Sequence, residues 1–346
     1  DFTAPPLVQE AAAKAVRDGA TQYTNALGLD ALRERISGWY QSRFGVDVPA
    51  RRIVVTAGAS AALHLACLAL IERGDEILMP DPSYPCNRHF VSAAEGRAVL
   101  VPTTAAERYQ LSSDKVQAAW TDKTRGVLLA SPSNPTGTSI APAELRRIHE
   151  VVQSRGGVTM IDEIYLGLSY EEEFGHTALA IDENIISINS FSKYFNMTGW
   201  RLGWMVVPDA MVPVVERLAQ NLFICASTIS QHAALACFEP ESIAEYERRR
   251  AEFKARRDYF IPELNKLGLS VPVMPDGAFY AWADCTQVAH RLGVDGSWDF
   301  AFELMRRAHL AITPGRDFGT ADTARHVRFS TANSMAQLQE AVSRLQ

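Results

Sequence analysis

At 346 residues, with 47% apolar and 21% charged side chains, the chain exceeds one typical domain and can bury a large core. Its net charge of −6 argues against a broad nucleic-acid surface, and no apolar run is long enough to span a bilayer. Five scattered cysteines (Cys67, Cys86, Cys225, Cys237, Cys285) form no CxxC pair, which points away from a disulfide framework or zinc site and toward a reducing cytoplasm.

The opening Asp1-Phe2-Thr3-Ala4-Pro5-Pro6 lacks the basic and apolar regions of a signal peptide, and it lacks a Met. A native segment ahead of it is expected. Residues 30–43 place Leu32, Ile36, Trp39 and Tyr40 on one side of a helix. Residues 52–56 read as a strand, then a turn at Ala57-Gly58-Ala59-Ser60, then an Ala/Leu-rich helix over 60–72. Strands follow at 76–79, 97–101, 127–130 and 158–161, with helices at 86–94 and 142–154, the latter opened by Pro142. Strands 185–190 and 202–207 flank a turn. This alternation predicts an α/β fold, a mostly parallel sheet sandwiched by helices, with ligands outside the carboxyl ends of its strands. From 241 to 266 a long charged helix is expected, and 269–283, 298–309 and 325–346 suggest a small α+β unit. The expected division is a segment 1–29, a large domain 30–255 and a small C-terminal domain 256–346.

The chemistry concentrates in the turn Ser190-Phe191-Ser192-Lys193, with Arg201 eight residues beyond the lysine. Alone, Lys193 reads as a solvated lysine at a strand end. Held at the end of a buried strand, it becomes a neutral amine able to form a Schiff base. Ser190, Ser192 and Arg201 beside it suit a phosphate, and Ala59 and Ser60 offer a second anion site at a helix start. A lysine with a phosphate site suggests pyridoxal phosphate. Asp162, ending a strand, could pair a protonated pyridine nitrogen or simply cap a helix. Asn134, in Ser131-Pro132-Ser133-Asn134-Pro135-Thr136-Gly137, and Tyr165 could donate to a phenolate oxygen, or serve as a turn and a core tyrosine. Tyr84 could stack on a ring or pack its loop. Arg328, in Val327-Arg328-Phe329-Ser330, could fork onto a carboxylate or sit in a surface ion pair.

Taken together, these motifs resemble the fold-type I pyridoxal-phosphate aminotransferases of the aspartate aminotransferase superfamily, class I/II, over the whole chain. Ser190-Phe191-Ser192-Lys193 with Arg201 is the most specific of them. Asn134-Pro135-Thr136-Gly137, Asp162-Glu163-Ile164-Tyr165 and the Pro314-Gly315…Phe318-Gly319 loop agree in order. The resemblance implies a seven-stranded sheet, Lys193 as Schiff-base lysine and general base, and Asp162 on the pyridine nitrogen. It also implies Asn134 and Tyr165 on the phenolate oxygen, Tyr84 on the ring, and Ala59, Ser60, Ser190, Ser192 and Arg201 on the phosphate. Arg328, with Asn134, would hold the substrate carboxylate. Tyr23 resembles a tyrosine that reaches the partner subunit's phosphate, which implies a homodimer with shared sites. Cis bonds are implied before Pro82 and Pro135. The implied reaction moves the amino group of an L-amino acid to a 2-oxo acid, 2-oxoglutarate or pyruvate, by a ping-pong mechanism. Some aspartate-specific relatives carry a lysine where Ser60 stands, so its absence weakens aspartate specificity. Family members also carry an N-terminal arm ahead of the position of Asp1. A carbon–sulfur β-lyase and the cofactor-sensing domain of a transcription regulator are the alternatives.

Overall fold

The computed structural model describes residues 1–346. Seven strands form the main sheet: Ile53–Thr56 (β1), Glu76–Asp81 (β2), Arg97–Pro102 (β3), Thr124–Ala130 (β4), Val158–Asp162 (β5), Ile186–Ser190 (β6) and Gly203–Val206 (β7). Their order is β1-β7-β6-β5-β4-β2-β3. From β3 to β6 every pairing is parallel, and β7 runs antiparallel to both β6 and β1. β1 therefore runs in the same direction as β6.

This direction explains where chemistry can gather. The carboxyl ends of β1, β2, β4, β5 and β6 share one edge of the sheet, and so does the amino end of β7. The residues that follow Thr56, Asp81 and Ala130, the terminal Asp162 and Ser190, and the Arg201 that precedes β7 are thus delivered to one place.

The strands are short apolar runs because both sheet faces are covered. Side chains alternate between layers: Val55, Trp204 and Val206 pack on one side with Leu32, Ile36 and Tyr40. Val54, Met205 and Ile188 pack on the other with Leu63, Leu65 and Ala66. At β4 and β5, Val127, Leu129 and Ile161 meet Leu145, Ile148 and Val152 from the helix Pro142–Ser154.

A second, three-stranded sheet is built from Tyr280–Asp284 (β8), Thr313–Pro314 (β9) and His326–Ser330 (β10), in the order β8-β10-β9. Ala281, Ala283, Val327 and Phe329 form its core with Leu338 and Val342. The helix Pro240–Lys266 crosses position 255 without a break. Its Tyr246 and Phe253 belong to the main core, and its Phe260, Ile261 and Leu264 to that of the small sheet.

Five helices have no counterpart in the sequence reading: Pro6–Arg17, Ser113–Ala119, Val212–Leu222, Thr228–Leu235 and Thr286–Arg291. Val8 and Ala12 of the first are buried in the main core. No helix is long and apolar enough to cross a membrane.

Candidate active site

One cavity of about 340 Å³ opens at the shared sheet edge. Ala59, Ser60, Tyr84, Asn134, Asp162, Tyr165, Ser190, Ser192, Lys193, Arg201 and Arg328 all line it. Tyr23 does not; its side chain lies at the surface, 79% exposed.

Ala59, Ser60, Ser190, Ser192 and Arg201 come from three turns. Gly58 precedes the helix Ala59–Leu70 with φ +82°, and a Cβ there would stand 2.6 Å from Arg201 Nη2. Only glycine lets the guanidinium approach the free N–H groups of that helix start. Arg201 itself takes a left-handed conformation, φ 51°, and donates from Nη1 to Thr198 O at 2.8 Å. Gly203 is equally constrained: a Cβ would lie 2.8 Å from both Ala59 N and Asn189 O, so β7 begins pressed against the helix start. Ser190 is buried, donates to Leu202 O at 3.3 Å and accepts from Ser192 N–H at 3.0 Å.

Lys193, Arg201 and Arg328 are the cations of this lining and Asp162 its carboxylate. Burial pushes the Lys193 amine below the ordinary lysine range; Arg328 and Arg201 add to this, and Asp162 opposes it. Burial likewise pushes the Asp162 carboxyl up to about 7, against the pull of the Ile164 N–H and of Lys193. The Ile164 N–H donates to Asp162 Oδ1 at 3.1 Å. Lys193 Nζ lies 5.4 Å from the Tyr165 ring centre and 5.8 Å from that of Phe279.

Asn134 and Arg328 lie 194 residues apart in the chain and meet here. Arg328 Nη1 donates to Asn134 Oδ1 at 2.8 Å, and Nη2 to Thr313 Oγ1 at 3.3 Å. The carboxamide therefore turns its oxygen to the arginine and keeps both amide hydrogens for the cavity. Arg328 Nε is buried without a partner, and the guanidinium makes no ion pair within the chain. The surface-ion-pair reading of Arg328 is thereby removed. The turn carrying Asn134 has cis bonds at Asn134–Pro135 and Ser131–Pro132, and the loop carrying Tyr84 has one at Asp81–Pro82. The bonds before Pro82 and Pro135 are those expected; that before Pro132 is additional. Tyr84 is half-buried, and burial raises its phenol above the ordinary range.

The structure adds a residue that the sequence reading missed. Tyr280, at the start of β8, lines the cavity with its hydroxyl 2.8 Å from that of Tyr165. Its ring lies 4.5 Å from the Arg328 guanidinium carbon. Within the apolar run Ala278-Phe279-Tyr280-Ala281-Trp282 nothing distinguishes it from a core aromatic.

The sequence profile of the family "Aminotransferase class I and II" matches residues 1–345. The chain is 36% identical over 343 residues to a valine–pyruvate aminotransferase of Mycobacterium tuberculosis, covering 99% of this chain and 87% of that protein. The crystal structure of an aminotransferase from Mycobacterium tuberculosis superposes with a TM-score of 0.95 at 36% identity, covering 100% of this chain and 88% of that one. Thermus thermophilus aspartate aminotransferase with maleate superposes with a TM-score of 0.92 at 30% identity, over 99% and 88% of the two chains. The chain belongs to the class I and II aminotransferases of the aspartate aminotransferase superfamily, transaminases of fold type I that work with pyridoxal phosphate.

Proposed function

We propose that this chain moves the α-amino group of an L-amino acid to a 2-oxo acid in two half-reactions at this cavity, with Lys193 as anchor and proton carrier. The observation that carries the reading is the lining itself: three cations and one carboxylate, drawn from separate turns, face one space. A ligand bearing a dianionic phosphate, a cationic ring nitrogen and an α-carboxylate balances such a set.

The residues fit pyridoxal phosphate on three observations. The Gly58 cradle, which a Cβ would fill, leaves Arg201 and the helix start free for the phosphate, with Ser60 and Ser192 beside them. The buried Asp162 lacks an ion-pair partner of its own and suits the ring nitrogen, and Tyr84 offers an aromatic face. The unpartnered Arg328 Nε and forked Nη groups suit a substrate α-carboxylate, with Asn134 fixing the fork.

Bound pyridoxal phosphate supplies an aldehyde for amines and a protonated ring that draws electrons from the substrate α-carbon. Lys193 Nζ, whose hold on a proton is weakened by burial, takes the α-proton and holds it for return. The Asp162 carboxylate keeps a proton on the ring nitrogen. Tyr165 and the Asn134 amide donate to the phenolate oxygen, and Arg328 orients the substrate so that its α-hydrogen faces Lys193.

Pyruvate or 2-oxoglutarate is the proposed acceptor, pyruvate taking support from the valine–pyruvate relative. Two copies are proposed to share their sites through Tyr23. The free cysteines suit a reducing compartment, and we place the enzyme in the cytoplasm.

The test is Lys193→Ala, assayed for transfer from a panel of amino acids to pyruvate and 2-oxoglutarate. Wild-type protein should transfer without releasing ammonia and pyruvate from cysteine-type donors. The variant should keep its circular dichroism and lose at least ~1000-fold in rate. Near-wild-type transfer by the variant refutes the role of Lys193, and ammonia release as the main reaction refutes transamination.

A further inference from the structure

The geometry points to Tyr280 as a positioning residue with two separable tasks: its hydroxyl orients that of Tyr165, and its ring seats the Arg328 guanidinium. This rests on the roles proposed above for Tyr165 and Arg328.

Sheet register brings Tyr280 to Arg328. β8 and β10 are antiparallel, with Arg328 opposite Trp282 and Ser330 opposite Tyr280. Tyr280 and Trp282 stand on the same face, so Tyr280 is a diagonal neighbour of Arg328 and within reach of a long side chain. Phe318 covers the guanidinium as well, its ring centre 4.9 Å from the guanidinium carbon. The cation is thus flanked by two aromatic rings, with Nη1 and Nη2 held by Asn134 and Thr313.

The approach to Tyr280 is stiff. Ala278 is buried in a left-handed conformation, φ 57°, and its carbonyl accepts the Tyr170 hydroxyl. Phe279 O accepts Thr331 N–H at 2.9 Å. Tyr280 itself is 7% exposed.

Counting protons gives the hydroxyl its task. Tyr165 and Tyr280 hold one hydrogen bond between them, and neither hydroxyl has another partner in the chain. Burial raises both phenols above their ordinary range, so both stay protonated at neutral pH. Two protons and one mutual bond leave a single O–H free for the cavity. When Tyr165 gives its proton outward, Tyr280 must donate to the Tyr165 oxygen, and a phenol that accepts one hydrogen bond becomes a stronger donor of the next.

The experiment uses pyridoxal-phosphate-loaded Tyr280→Phe, Tyr280→Leu, Tyr165→Phe and the double Phe variant. The pH midpoint of the bound cofactor's absorbance reports how well its phenolate oxygen is stabilised. That midpoint should rise by about 0.3 to 1 pH unit in Tyr280→Phe, more in Tyr165→Phe, and no further in the double variant. The amino-acid KM should stay within about threefold of wild type in Tyr280→Phe, which keeps the ring, and rise roughly 3- to 30-fold in Tyr280→Leu. A midpoint moved by Tyr165→Phe but not by Tyr280→Phe overturns the hydroxyl task alone. An unchanged KM in Tyr280→Leu overturns the ring task. A midpoint moved by neither variant overturns the placement of Tyr165 at the cofactor, and the hydroxyl task with it.

Discussion

Asp162 ends β5 inside the cavity, where burial holds its carboxyl near 7 against an ordinary value of 3.8. Between these values the folded, cofactor-free chain keeps a proton that the unfolded chain has released. The unfolding free energy therefore falls as pH rises from 3.8 to about 7 and is level above that. In the proposed arrangement a cationic ring nitrogen beside the carboxylate would offset the penalty, so the cost would belong to the cofactor-free state. Asp162→Asn removes the titrating group. Its cofactor-free form should lose this slope and, at about pH 8, unfold at higher urea than the cofactor-free wild type, by a few kcal/mol. Urea titrations of both proteins at about pH 5 and about pH 8 check this. Equal pH slopes would show that Asp162 is ionised in the fold already at the lower pH.

At the scale of elements, the site depends on how closely β7 and the helix Ala59–Leu70 can meet. Gly58→Ala places a Cβ where Arg201 Nη2 lies and forces an L-residue to φ +82°. Arg201 must then withdraw from the helix start. Losing one charge-assisted phosphate bond, about 1.5–3 kcal/mol, should weaken cofactor binding by roughly 10- to 100-fold, measured as a Kd by equilibrium titration. Wild-type affinity in this variant would mean that Arg201 does not reach the phosphate. Elements of this kind were legible in the chain wherever burial left a strong pattern. The buried strands read as apolar runs, and the helix Pro142–Ser154 carried its proline at the start and a regular apolar stripe. The helix Pro6–Arg17 escaped notice because its buried face is Val8, Ala12 and Ala15, and alanines give little periodic contrast. The direction of β7 was equally hidden, since alternation of side chains is the same for parallel and antiparallel neighbours. Of the site, Asp162 was readable because a polar group closing an apolar strand stands out, and Lys193, Arg201 and Asn134 because each sits in a short turn motif beside an apolar strand. Tyr280 was not, because its importance lies in cross-strand register and not in its local sequence.

At the scale of the molecule, the segment that carries the exposed Tyr23 adjoins an apolar surface through Gln22 and Ala26. Leu222, Phe223 and Ile224 are 49%, 37% and 50% exposed, and Ile224 is held in a left-handed conformation, φ 66°, which a β-branched residue adopts only under strain. The segment carrying Tyr23 is tied to this region by Thr228 Oγ1 donating to Gln22 O at 2.7 Å. Ala26, Ala57 and Phe223 border the same small cleft, one residue short of Gly58 and the helix start at the cavity. A second copy of the chain covering this face by twofold symmetry would bury the apolar residues and bring its own Tyr23 toward that helix start. Complementation tests the sharing directly. Lys193→Ala should be inactive, and Tyr23→Ala should be weakly active at limiting cofactor because the phosphate loses a hydrogen bond. When the two variants are unfolded and refolded together, a mixed dimer has one site with Lys193 from one chain and Tyr23 from the other, both intact. Random pairing restores about one-quarter of wild-type sites. Assays at limiting pyridoxal phosphate should then rise above the mean of the two parent proteins, with sedimentation confirming dimers. If Tyr23 serves the cavity of its own chain, or none, mixing leaves activity at that mean, because no pairing then rebuilds a complete site.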